Sequence, residues 1–292
     1  MLALLRLARF LPAGPVMRAT ERAGRLLAPI LPRSGLARGN MAKAFPDAPP
    51  ERIDGWVRGV WGSTMRLVAE FVYLDRLAVV DEEVAEAAAE DVPPGTVVLR
   101  GAERVRTIRD GGRPTIFVTA HSGNWEILPR VAAARGLATS ALFRPLNNPY
   151  LAEHLVRARG ATNAGAPIDL ISSDRGAARL LSRVLERDGA VGLLADQWFG
   201  RGVRVRFLGR STRANPLAAK LARRFEADLV PARCVRLPGG GFRLDVEPPL
   251  QPPRDGEGRI DVPATTQLIA DRIGAWVAEH PDQWLWLHRR WK

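Results

Sequence analysis

The chain has 292 residues, 46% of them apolar and 25% charged, which is enough to build a large α/β domain around a substantial core. Its 43 Lys and Arg against 31 Asp and Glu leave a net charge of +12, almost all of it on arginine, so its surface favours polyanions: nucleic acid, acidic proteins, phosphorylated glycolipids or anionic membranes. A single cysteine, Cys234, excludes an intramolecular disulfide framework and any multi-cysteine metal site.

The N-terminus is apolar over Met1–Leu5, but Arg6 and Arg9 interrupt it and Pro12 and Gly14 end it. It is too short and too charged to span a bilayer, and it lacks a signal-peptide core. A second apolar patch covers Leu26–Pro32, and residues 1–43 carry eight Lys or Arg against one Glu. Apolar turns interleaved with arginine describe an interfacial anchor on an anionic surface. The chain is therefore divided into a basic amphipathic membrane-association segment, 1–45, and a main domain, 46–292.

Residues 50–77 have helical periodicity, with Trp56, Val60 and Trp61 on one side and Leu67, Val68, Phe71, Val72 and Leu74 continuing it. Val80 to Ala89 reads as another helix and Thr96–Leu99 as a short strand. Strands and helices then alternate: strand Ile116–Ala120, helix Trp125–Arg135, strand Thr139–Phe143, helix Pro149–Arg159, short strand Ile168–Ile171, helix Asp174–Arg187 capped by Asp174, strand Ala190–Ala195 and helix Pro216–Phe225. Leu229–Arg236 and Phe242–Val246 read as paired strands joined by Pro238-Gly239-Gly240-Gly241, and a last helix runs from about Ala264 to Ala278. Such alternation predicts an α/β fold: a mostly parallel central sheet flanked by helices, a hairpin at one edge, and an N-terminal helical extension.

The stretch His121-Ser122-Gly123-Asn124-Trp125-Glu126 lies between a β-rich apolar segment and a helix. Open α/β sheets place their chemistry there, at the carboxyl ends of strands. A tight Ser-Gly-Asn turn can fold Glu126 back toward the imidazole, fixing its tautomer and leaving the other ring nitrogen as a base. The expectation is a His121–Glu126 dyad that deprotonates a hydroxyl, with Ser122 a turn residue because the Gly-x-Ser-x-Gly elbow is missing. Backbone N–H groups at the start of the Trp125 helix are candidate oxyanion donors. Arg144, at the end of a predicted strand, is another. Asp196 ends the strand Val191–Ala195 on the same edge. Cys234 sits in a probable strand as a small buried residue. Of His121, His154, His280 and His288, no pair has the i, i+4 spacing of a helical zinc site, so no metal is expected.

The His-x-x-x-x-Glu pattern of His121 and Glu126 resembles the signature of glycerolipid-type acyltransferases, and HSGNWE is similar to the lipid A biosynthesis late acyltransferases. RGNMAKAFPD over 38–47, Phe143-Arg144-Pro145-Leu146-Asn147-Asn148-Pro149, Ala195-Asp196-Gln197, Phe207-Leu208-Gly209, Val230-Pro231-Ala232 and the Trp-rich C-terminus follow in that family's order. The resemblance implies a catalytic domain over 46–292. It implies fatty acyl transfer from acyl carrier protein to a hydroxyl of a lipid A precursor at the cytoplasmic face of the cell inner membrane, without a cofactor. It adds Arg159, with Arg157 close enough to compete for the same assignment, and by its motif context Asp196, to the expected site; Arg144, Arg159, Asp196 and Asn124 are the expected substrate-binding residues.

Other lipid acceptors, such as a lysophospholipid, an ornithine lipid or a phosphoinositide mannoside, fit the same motifs, and so does a thioesterase or esterase. Charge alone would also suit nucleic acid, but no recognition helix or basic–aromatic module is evident, so no nucleic acid is expected. Of the C-terminal tryptophans, Trp284 and Trp286 are expected in the core and Trp291 at a membrane–water interface.

Overall fold

The computed structural model describes residues 9–83, 92–143, 166, 168–173 and 176–291. Three helices lead the chain: α1 (Ala13–Leu27), α2 (Ser34–Ala44) and α3 (Pro50–Glu70). Pro50 opens α3, where a missing N–H costs nothing. Ile53, Val57 and Val60 then recur at helical spacing and are buried. The axes of α1 and α3 come so close that a Cβ on Gly24 would stand 2.4 Å from the Trp61 carbonyl oxygen.

Eight strands form one sheet: β1 (Ala78–Asp81), β2 (Thr96–Arg100), β3 (Thr115–Thr119), β4 (Thr139–Phe143), β5 (Ile168–Ser172), β6 (Ala190–Leu194), β9 (Asp228–Arg236) and β10 (Phe242–Val246). Their order is β1-β2-β10-β9-β3-β6-β4-β5, and every neighbouring pair is parallel except β9 with β10. The β9–β10 hairpin is therefore interior, not at an edge as the sequence suggests, because β1 and β2 cover the far side of β10. Two further strands, β7 (Trp198–Phe207) and β8 (Arg210–Ala214), form a separate antiparallel ribbon.

The remaining helices are α4 (Ala102–Gly111), α5 (Ile127–Ala134), α6 (Ala177–Leu185), α7 (Leu217–Phe225) and α8 (Val262–Glu279). Strand residues alternate between the two sheet faces. Ile116, Val118, Val191 and Leu193 pack with α3, α6, α7 and α8, whereas Val97, Leu99, Val230 and Leu244 pack with α4 and α5. Asp261 caps α8 by accepting the Ala264 N–H at 2.8 Å.

The structure corrects the start of the helix expected over Val80–Ala89, and residues 84–89 lie outside the described residues. Ala78–Asp81 pairs in parallel with β2, where its β-branched valines fit a pleated surface. Helix α4 and the β7–β8 ribbon are additional to the predicted elements. The expected helix over Pro149–Arg159 and the Asp174 cap lie outside the described residues.

Replacing Gly24 by leucine should force α1 off α3 and cost about 1–3 kcal/mol, as overpacking does. Thermal unfolding of the full chain checks it, and an unchanged midpoint would contradict the close contact.

Candidate active site

Strands β3 and β6 are parallel neighbours, with Thr119 opposite Leu194. Neighbouring strands lie about 4.8 Å apart, so two more residues in the same register bring His121 beside Asp196. His121 Nδ1 is 2.8 Å from Asp196 Oδ1. Asp196 Oδ2 accepts the His121 backbone N–H at 3.0 Å and the Trp284 indole N–H at 2.7 Å. Asp196 is only 1% exposed, and a carboxylate buried that deeply stays ionised only when it is well supplied with donors.

The two partners shift one another's protonation. For His121, burial is the largest single influence and disfavours the charged ring. The charge and hydrogen bond of Asp196, with the charge of Glu126, outweigh it and raise the imidazole above its ordinary value. For Asp196, burial also disfavours charge, but His121 and its backbone N–H hold the carboxyl well below the usual range. The neutral imidazole thus donates Nδ1–H to Asp196 and keeps a lone pair on Nε2. That nitrogen faces the Gln197 side-chain nitrogen at 3.4 Å. The Trp125 ring packs edge-on against the imidazole with centroids 5.0 Å apart.

The turn after His121 is tightly held. Gly123 has φ +59, and a Cβ there would stand 2.0 Å from the Cys234 carbonyl oxygen, so only glycine fits. The Gly123 N–H donates to the Gln283 carbonyl at 3.0 Å, and the Leu285 N–H donates to the His121 carbonyl at 2.9 Å. The Asn124 side-chain oxygen accepts the Glu126 N–H at 3.1 Å, and the Ile127 N–H donates to the Asn124 carbonyl at 3.1 Å. Two N–H groups at the start of the expected Trp125 helix, those of Glu126 and Ile127, are therefore committed within the turn.

The structure brings His121, Asn124, Glu126 and Asp196 to one edge of the sheet. The carboxylate hydrogen-bonded to the imidazole is Asp196; Glu126 is buried nearby and acts on the ring through its charge. Asn124 is 1% exposed, and its side chain braces the turn. Arg144 and Arg159 lie outside the described residues. Trp284 and Trp286 are buried as expected. Trp291 departs from its expected place: its indole N–H is buried, and the ring packs with Phe207 and Trp286 because the C-terminal segment folds back onto the core. Cys234 is buried, and burial pushes its thiol up to about 12. Sequence reasoning missed that Trp284 binds Asp196 and that His288 packs edge-on against Trp284 at 5.2 Å. The alternation of Trp284 and Trp286 signals burial, but nothing local identifies the acceptor.

With His121 as the proposed base, which works in its neutral form, activity should rise with pH through its raised pKa, with the acidic limb above the ordinary value of ~6.5. Asp196→Asn should lower kcat by about 100- to 10,000-fold and move that limb to lower pH, because the charge opposing burial is gone. A limb that stays in place in a pH–rate profile would contradict the pairing.

The amino-acid sequence matches the family described as bacterial lipid A biosynthesis acyltransferase over residues 1–292. It is similar to the phosphatidylinositol mannoside acyltransferase of Mycobacterium tuberculosis, 28% identical over 195 residues, covering 66% of this chain and 60% of that protein. The phosphatidylinositol mannoside acyltransferase of Mycolicibacterium smegmatis is 29% identical over 192 residues, covering 62% of this chain and 58% of its own length. The chain thus spans less than two thirds of the curated relatives it matches. With a family match along its full length, and a histidine–carboxylate pair at the end of the β3 strand, the chain belongs to the bacterial lipid A biosynthesis acyltransferase family.

Proposed function

We propose that this protein transfers a fatty acyl group from an activated thioester to a hydroxyl of a membrane glycolipid. The observation that carries the reading is the His121–Asp196 pair, which leaves Nε2 with the Gln197 amide as its neighbour, and His121 lines a narrow cleft with Val60, Thr64, Leu67, Trp125 and Leu285. Apolar side chains next to a candidate base suit the carbonyl end of an acyl group that must reach that base.

In this mechanism His121 Nε2 takes the acceptor hydroxyl proton as the oxygen attacks the thioester carbonyl carbon. The tetrahedral intermediate collapses with cleavage of the carbon–sulfur bond, and the imidazolium returns its proton to the departing thiolate. The products are an ester and a free thiol. Asp196 and Glu126 stabilise the transient imidazolium. The Gln197 amide, adjacent to Nε2, is a candidate donor to the oxyanion, and Arg144 and Arg159 retain their proposed role in substrate binding.

Acyl carrier protein is the proposed donor. The chain carries no acidic residue from Gln197 to Phe225, a stretch that includes the β7–β8 ribbon. On that ribbon Arg204 stands opposite Arg213, a like-charge pair that a bound acidic surface would relieve. For the acceptor, the family supports a lipid A precursor. The names of the mycobacterial relatives favour a second reading, a mannosylated phosphoinositide.

A peripheral position at the cytoplasmic face of the inner membrane fits the first helices. Phe10, Leu11, Leu26, Leu27 and Ile30 are exposed beside an arginine-rich α1. Among the described residues no helix is long and apolar enough to cross a membrane.

With acyl carrier protein carrying a defined fatty acid, wild-type protein should add one acyl group to a tetra-acylated lipid A precursor or, in a parallel reaction, to a phosphatidylinositol mannoside. His121→Ala should add none. Mass spectrometry of the lipids reads the result, and free fatty acid without acylated lipid would make the protein a thioesterase instead. Leu26→Asp combined with Ile30→Asp should reduce sedimentation with anionic vesicles while sparing turnover of detergent-dispersed acceptor. Equal sedimentation would remove the anchor.

A further inference from the structure

Glu70 ends α3 and is 2% exposed, packed with Arg66, Arg236 and Asn124, which are also buried. Its Oε1 accepts Arg66 Nε at 2.7 Å and Arg236 Nε at 2.9 Å. Its Oε2 accepts Arg236 Nη2 at 2.8 Å and Asn124 Nδ2 at 2.9 Å. Arg66 donates further to the Gly240 carbonyl at 2.6 Å and to Glu21 of α1 at 3.2 Å. Two guanidinium groups and a carboxylate buried together are poorly explained by stability, since apolar side chains of similar volume commonly do as well or better.

What the cluster holds gives a better account. Asn124 braces the turn that follows His121. Arg236 binds the Gln283 side chain through its backbone N–H and carbonyl, at 2.8 and 3.0 Å. The Gln283 carbonyl in turn receives the Gly123 N–H. Glu70 therefore holds one point of the turn directly, through Asn124, and fixes the Arg236 side chain beside the β9 backbone that holds Gln283. We propose that Glu70 is a positioning residue: by anchoring Asn124 it fixes the His121–Glu126 turn, and with it the imidazole, against Asp196. Glu70 touches no reacting atom, and the inference rests on His121 being the base.

Glu70→Gln places amide hydrogens against existing donors. In the full chain it should lower kcat at least about tenfold, since small misplacements of a catalytic group are costly, and leave KM for the acyl donor within about twofold. The acidic limb of the pH–rate profile should also fall, as His121 loosens from Asp196. Glu70→Asp, which keeps the charge, should recover part of the rate. Asn124→Ala cuts the link without uncovering a charge. It should show the same fall in kcat and in the limb, and the double variant should be no worse than the more damaged single one. Should Glu70→Gln fail to fold, Asn124→Ala alone decides. A lower melting temperature with wild-type kcat and an unmoved limb in the folded variants would overturn the positioning role while an inactive His121→Ala keeps the base. Full activity in His121→Ala would overturn both.

Discussion

The buried carboxylate of Asp196 is the constraint on which the rest of the site depends. It receives three donors from two places in the chain: the imidazole and backbone N–H of His121 after β3, and the indole of Trp284 in the C-terminal segment. Its own position follows from β6. A carboxylate removed from water is tolerable only if all of these donors are in place, so the β3–β6 register and the docking of Trp284 are linked requirements. The same charge that burial makes expensive is what raises the His121 pKa. A stronger base at Nε2 is gained at the expense of a smaller neutral fraction near neutral pH.

The C-terminal segment works as a strap. Its backbone bonds to both His121 and Gly123. Asn40 of α2 donates to the Trp286 and His288 carbonyls at 3.1 and 2.8 Å, and Arg33 donates to the Leu287 carbonyl at 2.9 Å. Thr212 of the ribbon donates to the Arg290 carbonyl at 2.6 Å. The early helices are therefore built into the body of the protein, with Ala37 and Met41 of α2 buried in the same core as β3 and β6. Exposed apolar side chains at the start of the chain and the proposed base at the sheet edge sit on one connected framework.

Much of this was legible in the sequence, for reasons that differ by element. The apolar runs of β3 and β6 and the punctuation after them marked the sheet edge, and His121 and Asp196 each stand two residues beyond such a run. Their pairing was not legible, because β6 lies beside β3 only once the chain has skipped a strand position that no local pattern encodes. The ribbon carried a period-two signal in Val203, Val205 and Phe207, masked by the arginines between them. Helix α4 is so polar that Ala102 and Val105 are its only buried residues, which left a weak amphipathic signal. Glu70, Arg66 and Arg236 were unreadable for a general reason. Charged residues normally face water, and only the completed packing shows three of them meeting under a helix.

The proposed function requires Asp196 to hold His121 with its proton on Nδ1 and to leave Nε2 as the base. The most direct test is nitrogen-15 NMR of the histidine side chains across pH, with the His121 signals assigned by their loss in His121→Ala. The account predicts a His121 titration above ~6.5 and, on its alkaline side, a neutral ring protonated at Nδ1. A ring protonated at Nε2, or one that titrates below the ordinary histidine value, would contradict it.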